Sequence, residues 1–198
     1  MDQVMGDSDN GHNGEGDVSL WRGIDFSGIT VKIGVSTGRL LRLLLEQVQR
    51  AEGQLVVLGY RAEELTPFGA GGVARLTALR ARSRQLPLAD ASVDLLVLNG
   101  ALRETPVERL PAMAAEAWRV LTPGGQLRVS DIMEASEAES DRAWAERNRL
   151  IRRLGEALGR PTALAVDLRA VAAALTAQGF EQLRLSILPG YPLHEEWL

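Results

Sequence analysis

Short apolar segments alternate with segments of helical periodicity along most of this chain. Residues 29–33, 54–59 and 93–98 are rich in Val, Leu and Ile and contain few polar residues. Strands of this kind are covered on both faces, as in a parallel sheet flanked by helices. Between the first two, leucines four residues apart place one apolar face on a helix. The alternation predicts a single Rossmann-like α/β domain with a doubly wound, mainly parallel sheet.

Weaker segments extend this pattern toward the C-terminus. Further strands are predicted at residues 73–81, 126–130 and 180–188. Helices are predicted at residues 134–158 and 167–178, the second of them closed by Gly179.

Composition limits the domain count and excludes several kinds of site. A chain of 198 residues, 45% of them hydrophobic, suffices for one domain with a sizeable core. It contains no cysteine, which excludes disulfides, thiolate metal sites and a cysteine nucleophile. The only histidines are His12 and His194, in the two terminal regions, so we expect no metal site and no histidine-centred triad.

The charge of the chain is concentrated at its N-terminus. Residues 1–19 carry five acidic and no basic side chains and are rich in Gly and Asn, which predicts a disordered acidic tail before a folded domain at residues 20–198. The near-neutral remainder offers no basic face for nucleic acid. No apolar run reaches the length of a membrane span, so we expect a cytoplasmic protein without a nucleic-acid or membrane partner.

The turn after the first strand, GVSTG at residues 34–38, lies where a ligand would bind in such a sheet. Ligands bind at the carboxyl ends of the strands, near the point where the strand order reverses. Glycine lets the backbone approach a ligand, and the next helix directs its first N–H groups toward it. The turn is neither a P-loop nor a full dinucleotide fingerprint, whose third glycine is replaced by Leu41. Alone, it is equally consistent with an ordinary structural turn.

The segment from residue 86 to residue 131 is more distinctive. It reads LPLADASVDLLVLNGAL and, after a helix, WRVLTPGGQLRVSDI. In order and spacing it resembles the methyltransferase type 11 family of class I, S-adenosylmethionine-dependent methyltransferases. The resemblance extends loosely over residues 29–188. It implies S-adenosylmethionine as the cofactor and a small molecule as the methyl acceptor, whose identity the sequence does not reveal.

The resemblance also implies which residues surround the cofactor. They are the glycine-turn residues Gly34, Ser36, Thr37 and Gly38, then Tyr60 and Arg82 after the second and third strands, and Asn99 and Gly100 after the fourth. Asp131, after the fifth strand, corresponds to the edge of the substrate side. No residue stands out as a catalytic base, and the catalytic residues stay unassigned.

Three positions depart from the family pattern. Lys32, Tyr60 and Arg82 stand where the family has acidic residues. A carboxylate accepts hydrogen bonds from both ribose hydroxyls, and a cation disfavours a sulfonium ligand. These departures support a second hypothesis, a catalytically inactive domain that serves as a binding or assembly subunit. Alternatively, Lys32 simply faces solvent beside the sheet edge, and Arg82 lies in a loop away from the ligand. A third hypothesis, an NADP-type binder with Arg61 at the phosphate, lacks the full fingerprint.

The C-terminal part of the sequence predicts self-association. The family adds a final antiparallel strand after the sixth, and here so few residues follow residue 188 that this strand is expected to be missing, unless the chain ends early. The predicted strand at residues 180–188 would then present unpaired backbone groups. Either the terminal segment YPLHEEWL folds back over this edge, or a second copy covers it, with the amphipathic helix at residues 134–158 adding apolar contact; we favour the second copy because eight residues bury little. We therefore expect a homodimer.

Overall fold

The computed structural model describes residues 21, 23–34, 39–59, 65, 73–81, 85–102, 105–131, 139–159 and 166–185. The strands are β1 (Ile29–Ile33), β2 (Gln54–Gly59), β3 (Leu76–Arg80), β4 (Val93–Asn99) and β5 (Leu121–Ser130). The helices are α1 (Arg39–Arg50), α2 (Leu110–Val120), α3 (Glu139–Ala157) and α4 (Leu168–Gln178), and a short 3-10 turn (Val107–Arg109) precedes α2. The predicted acidic tail at residues 1–19 lies outside the described residues.

The five strands form one sheet in the order β3-β2-β1-β4-β5, and all four neighbouring pairs are parallel. β1 occupies the centre, where Val31 pairs with Val56 of β2 and Leu96 of β4. The chain runs outward from β1 to β3 and then returns to place β4 on the other side. The order therefore reverses between β1 and β4, and the predicted doubly wound, mainly parallel α/β fold is confirmed.

Helices cover both faces of the sheet, which explains the uninterrupted apolar strands. Val31 and Ile33 of β1 belong to a buried cluster that includes Val120 of α2. Successive side chains of a strand point to opposite faces, so Thr30 and Lys32 face the other side. That side is packed by α1, whose Leu44 and Val48 are fully buried together with residues of β2 and β4.

The helix predicted at residues 167–178 is confirmed at α4, and both of its ends are capped. The Asp167 carboxylate accepts hydrogen bonds from the backbone N–H groups of Arg169 and Ala170. At the other end Gly179 adopts φ 106°, a left-handed conformation that glycine reaches without steric cost. Gly179 therefore ends the helix as predicted, whereas Asp167, predicted as its first residue, is the cap in front of it.

The strand predicted at residues 180–188 is wrong over its described part. Residues 180–185 form no strand, and Gln182 has φ 54°, which interrupts an extended course. The Phe180 ring instead packs edge-to-face on Trp118 of α2, with ring centroids 5.2 Å apart. Residues 186–188 lie outside the described residues. Within the described part of the chain, β5 is therefore the outermost strand on this side of the sheet.

The strand predicted at residues 73–81 is shorter than expected. It begins at Leu76 because Arg75 has φ 64°, a left-handed conformation that cannot continue a strand.

The helix predicted from residue 134 is described from Glu139 onward. Among the helices that the structure describes, none combines the length and the apolar character needed to cross a bilayer.

Candidate functional site

The ends of β1 and β4 meet at the carboxyl edge of the sheet. Gly34 follows β1 with φ 86°, and its N–H donates a 3.0 Å hydrogen bond to the carbonyl of Leu58 in β2. A Cβ atom placed on Gly34 would lie 3.8 Å from the backbone oxygen of Asn99, the last residue of β4. Gly34 and Asn99 are therefore adjacent at the position where the strand order reverses. This is the place in an open α/β sheet where ligands bind.

The loop after β4 is fastened to the end of β5. The Ser130 hydroxyl donates to Asn99 Oδ1 at 3.0 Å, and the Gly100 N–H donates to the Ser130 carbonyl at 2.9 Å. Beyond them, the Leu102 N–H donates to Asp131 Oδ2 at 2.9 Å. These bonds hold Asn99 and Gly100 in a defined position beside Gly34. Sequence reasoning did not single out Ser130, although a hydroxyl at a strand end was the available signal.

Lys32 is the unexpected residue of this edge. Its side chain is 1% exposed, and in the sheet register it lies between Val57 of β2 and Val97 of β4. The ammonium Nζ donates to the carbonyl of Gly34 at 2.5 Å. Burial lowers the pKa of Lys32 from 10.5 to about 8, since the charged form loses its hydration. The alternative that Lys32 faces solvent is therefore wrong.

Of the predicted cofactor residues, the structure brings Gly34, Asn99 and Gly100 together. The remaining five, Ser36, Thr37, Gly38, Tyr60 and Arg82, lie outside the described residues, as does Arg61. Two of these residues, Tyr60 and Arg82, directly follow residues that the structure places at this edge. Gly59 is the last residue of β2, and Ala81 follows β3, with the Ala81 N–H donating to the Gly59 carbonyl at 2.9 Å.

The opposite, amino edge of the sheet is organised around Asp94 of β4. Its carboxylate accepts from the Ile29 N–H at 2.8 Å and from the Thr122 hydroxyl at 3.1 Å. These bonds connect the start of β1 to the first residues of β5. Asp94 is therefore a structural acid, remote from the edge where β1 and β4 end.

The segment between β3 and β4 is anchored by Arg119 of α2. Its guanidinium donates to the carbonyls of Leu86 and Leu88 and pairs with the carboxylates of Asp90 and Glu116, each at 2.6 Å. The hydrogen bonds to Glu116 and Asp90 raise the pKa of Arg119 above its usual value, and the bond from Arg119 lowers the pKa of Glu116. The most distinctive stretch of the sequence thus serves largely to hold the sheet and α2 together.

A parallel sheet in this order, with Gly34 directly after its central strand and an Asn-Gly loop after β4, defines a Rossmann-like domain of the class I methyltransferase type. Residues 31–125 match the profile of a family described as a methyltransferase domain. This match, together with the curated relative and the solved structures described below, supports a class I S-adenosylmethionine-dependent methyltransferase domain, as the sequence resemblance indicated.

A curated relative covers more of the chain. The malonyl-[acyl-carrier protein] O-methyltransferase of Methylococcus capsulatus is 34% identical over 169 residues, which cover 81% of this chain and 55% of that protein. The chain thus spans about half the length of this relative.

Solved structures show the same fold at low sequence identity. A SAM-dependent methyltransferase from Methanosarcina mazei superposes with a TM-score of 0.56 at 16% identity, covering 77% of this chain and 79% of the other. A second example is the Haemonchus contortus phospholethanolamine N-methyltransferase 2, solved in complex with phosphomonomethylethanolamine and S-adenosylhomocysteine. Its TM-score is 0.57 at 14% identity, covering 83% of this chain and 37% of that one.

Proposed function

We propose that this domain binds S-adenosylmethionine at the carboxyl edge of its sheet and transfers the methyl group to a small molecule. The observation that carries the proposal is the adjacency of Gly34 and Asn99 where the strand order reverses. The family match and the Methylococcus relative, which is named for methylating a malonyl group on a carrier protein, support the reaction type. An acyl group is accordingly the acceptor class we favour among small molecules.

The backbone of this edge suits an S-adenosyl ligand. Gly34 carries no side chain, a Cβ atom there would be in ordinary van der Waals contact with the Asn99 carbonyl oxygen, and the Asn99-Gly100 loop is held firmly beside it. The bound cofactor would supply an electrophilic methyl group on its sulfonium. The chain would contribute mainly by orienting the two reactants, which is a sufficient source of rate enhancement for many bimolecular steps. Asp131 would act in this scheme by fixing the loop through the Leu102 N–H.

Calorimetric titration with S-adenosylmethionine and S-adenosylhomocysteine tests the proposal. We expect binding to the unmodified chain and at least roughly tenfold weaker binding to Gly34→Val, because a branched side chain at φ 86° would strain the turn and occupy the site. Gly124→Val is the matched control. Gly124 has φ 81° and open space around it, but it lies in the irregular first half of β5, opposite the start of β4.

Two results would contradict this proposal. One is the absence of heat and of thermal stabilisation with either ligand at about millimolar concentration, which corresponds to less than about 4 kcal/mol of binding. The other is an equal loss of affinity in Gly34→Val and Gly124→Val, which would show that backbone strain, rather than the position of Gly34, controls binding.

The second candidate is a catalytically inactive domain with a binding or assembly role. The burial of Lys32 favours it, because a cation beside the glycine turn suits a sulfonium poorly. Turnover of S-adenosylmethionine with any acceptor in a cell extract would eliminate this candidate.

We also propose a homodimer in the cytoplasm, now with α3 as the main contact. Leu150 and Leu154 lie one helical turn apart on α3 and are 57% and 52% exposed. Sedimentation equilibrium at micromolar concentration is expected to give the dimer mass, and Leu150→Glu is expected to shift it toward the monomer. Leu183→Glu, at a comparably exposed leucine outside α3, is the control. A monomer mass that does not change with concentration would refute the dimer.

A further inference from the structure

Lys32 places a buried positive charge beside Gly34, where the chain leaves β1. Its Nζ donates to the carbonyl of Gly34, while the rest of the side chain lies among the valines of β2 and β4. At 1% exposure the side chain is almost fully removed from water. A group so placed acts on a ligand at this edge through its electric field rather than by direct contact.

The charge is not neutralised within the described part of the chain. No carboxylate there forms an ion pair with Lys32, and only one of the three ammonium N–H groups has an acceptor. With the pKa of Lys32 at about 8, roughly nine in ten molecules carry the proton at pH 7. In apolar surroundings such a charge is screened much less than a surface lysine.

We propose that the Lys32 charge makes this site prefer S-adenosyl ligands whose sulfur is uncharged over those with a sulfonium. S-adenosylmethionine and S-adenosylhomocysteine share the adenosine and amino-acid parts and differ by one methyl group and one positive charge. Repulsion from the Lys32 ammonium weakens the binding of S-adenosylmethionine and not that of S-adenosylhomocysteine. At an effective dielectric constant of about 20, two like charges about 10 Å apart change a binding constant by roughly tenfold. The inference rests on the cofactor site proposed above.

The test compares the two dissociation constants by calorimetry at pH 7. The unmodified chain is expected to bind S-adenosylhomocysteine at least about tenfold more tightly than S-adenosylmethionine. Lys32→Met and Lys32→Gln are expected to reduce that ratio by about tenfold, mainly because S-adenosylmethionine binds better. Arg50→Met removes an exposed positive charge at the far end of α1 and is expected to leave the ratio unchanged.

The possible outcomes separate this inference from the proposed function. If neither ligand binds any form, the proposed function fails and the preference with it. If both ligands bind but the unmodified chain distinguishes them by less than about twofold, or both Lys32 variants keep its ratio, the preference is refuted while the function stands. If the variants weaken S-adenosylhomocysteine but not 5′-methylthioadenosine, Lys32 contacts the amino-acid part of the ligand and charge selection is refuted.

Discussion

Replacing Lys32 with methionine is expected to raise the free energy of unfolding at pH 7 by about 3 kcal/mol. Burial lowers the pKa of Lys32 from 10.5 to about 8, so the folded state bears the cost of a desolvated charge that the unfolded chain keeps hydrated. Methionine is of similar length and suits the apolar surroundings formed by Val57 and Val97. Urea denaturation of both proteins measures the difference.

The pH dependence of the free energy of unfolding independently checks whether Lys32 destabilises the folded state. Below about pH 8 Lys32 is charged in both states, and the cost is complete. Between about pH 8 and 10.5 the folded state releases its proton while the unfolded state retains it, so rising pH stabilises the unmodified chain. The advantage of Lys32→Met should therefore shrink from pH 7 to pH 10. Other groups titrate in both proteins and cancel in the difference.

Arg50→Met serves as the control for this prediction as well, because Arg50 is exposed and should contribute within about 0.5 kcal/mol. A gain for Lys32→Met that stays constant across this pH range would show that packing, and not charge, causes it. A loss of stability would mean that the ammonium bond to Gly34 outweighs the desolvation. Neither result depends on a ligand, so the stability test and the ligand test of Lys32 are independent.

Substituting Gly53 with alanine is expected to destabilise the domain by about 3 kcal/mol or more. Gly53 joins α1 to β2, and a Cβ atom on it would lie 1.9 Å from the Phe26 carbonyl oxygen and 2.7 Å from that of Gly28. Both are backbone atoms of the segment that leads into β1, so no side-chain rotation relieves the clash. The bond from the Gln54 N–H to the Gly28 carbonyl would be displaced along with them. Urea or thermal unfolding measures the loss.

The matched control for Gly53→Ala is Gly23→Ala. Gly23 has φ 75°, and no atom lies within 4 Å of the position that its Cβ would take, so alanine there meets backbone strain alone, worth about 1 to 2 kcal/mol. Equal losses at the two positions would show that the close approach of Gly53 to Phe26 is relieved by a small shift. A much larger loss at Gly53 would establish that contact as a constraint on the whole sheet.

The sequence by itself determined the architecture, because its strongest signals are local. The apolar runs of β1, β2 and β4 match the strands closely, since strands buried on both faces require such residues at most positions. Gly179 marked the end of α4 because a C-cap depends on the residue adjacent to the helix end.

Only the tertiary structure decided the surroundings of individual side chains. The sequence could not tell whether Lys32 faces water, because that depends on β2 and β4 closing around it from distant parts of the chain. The bond between Ser130 and Asn99 likewise requires two strand ends to meet. The apolar residues after Gly179 predicted a strand, but in the structure the Phe180 ring packs on Trp118. The periodicity of apolar residues indicates which secondary structure a segment can form. Packing against distant parts of the chain decides which contacts that segment makes.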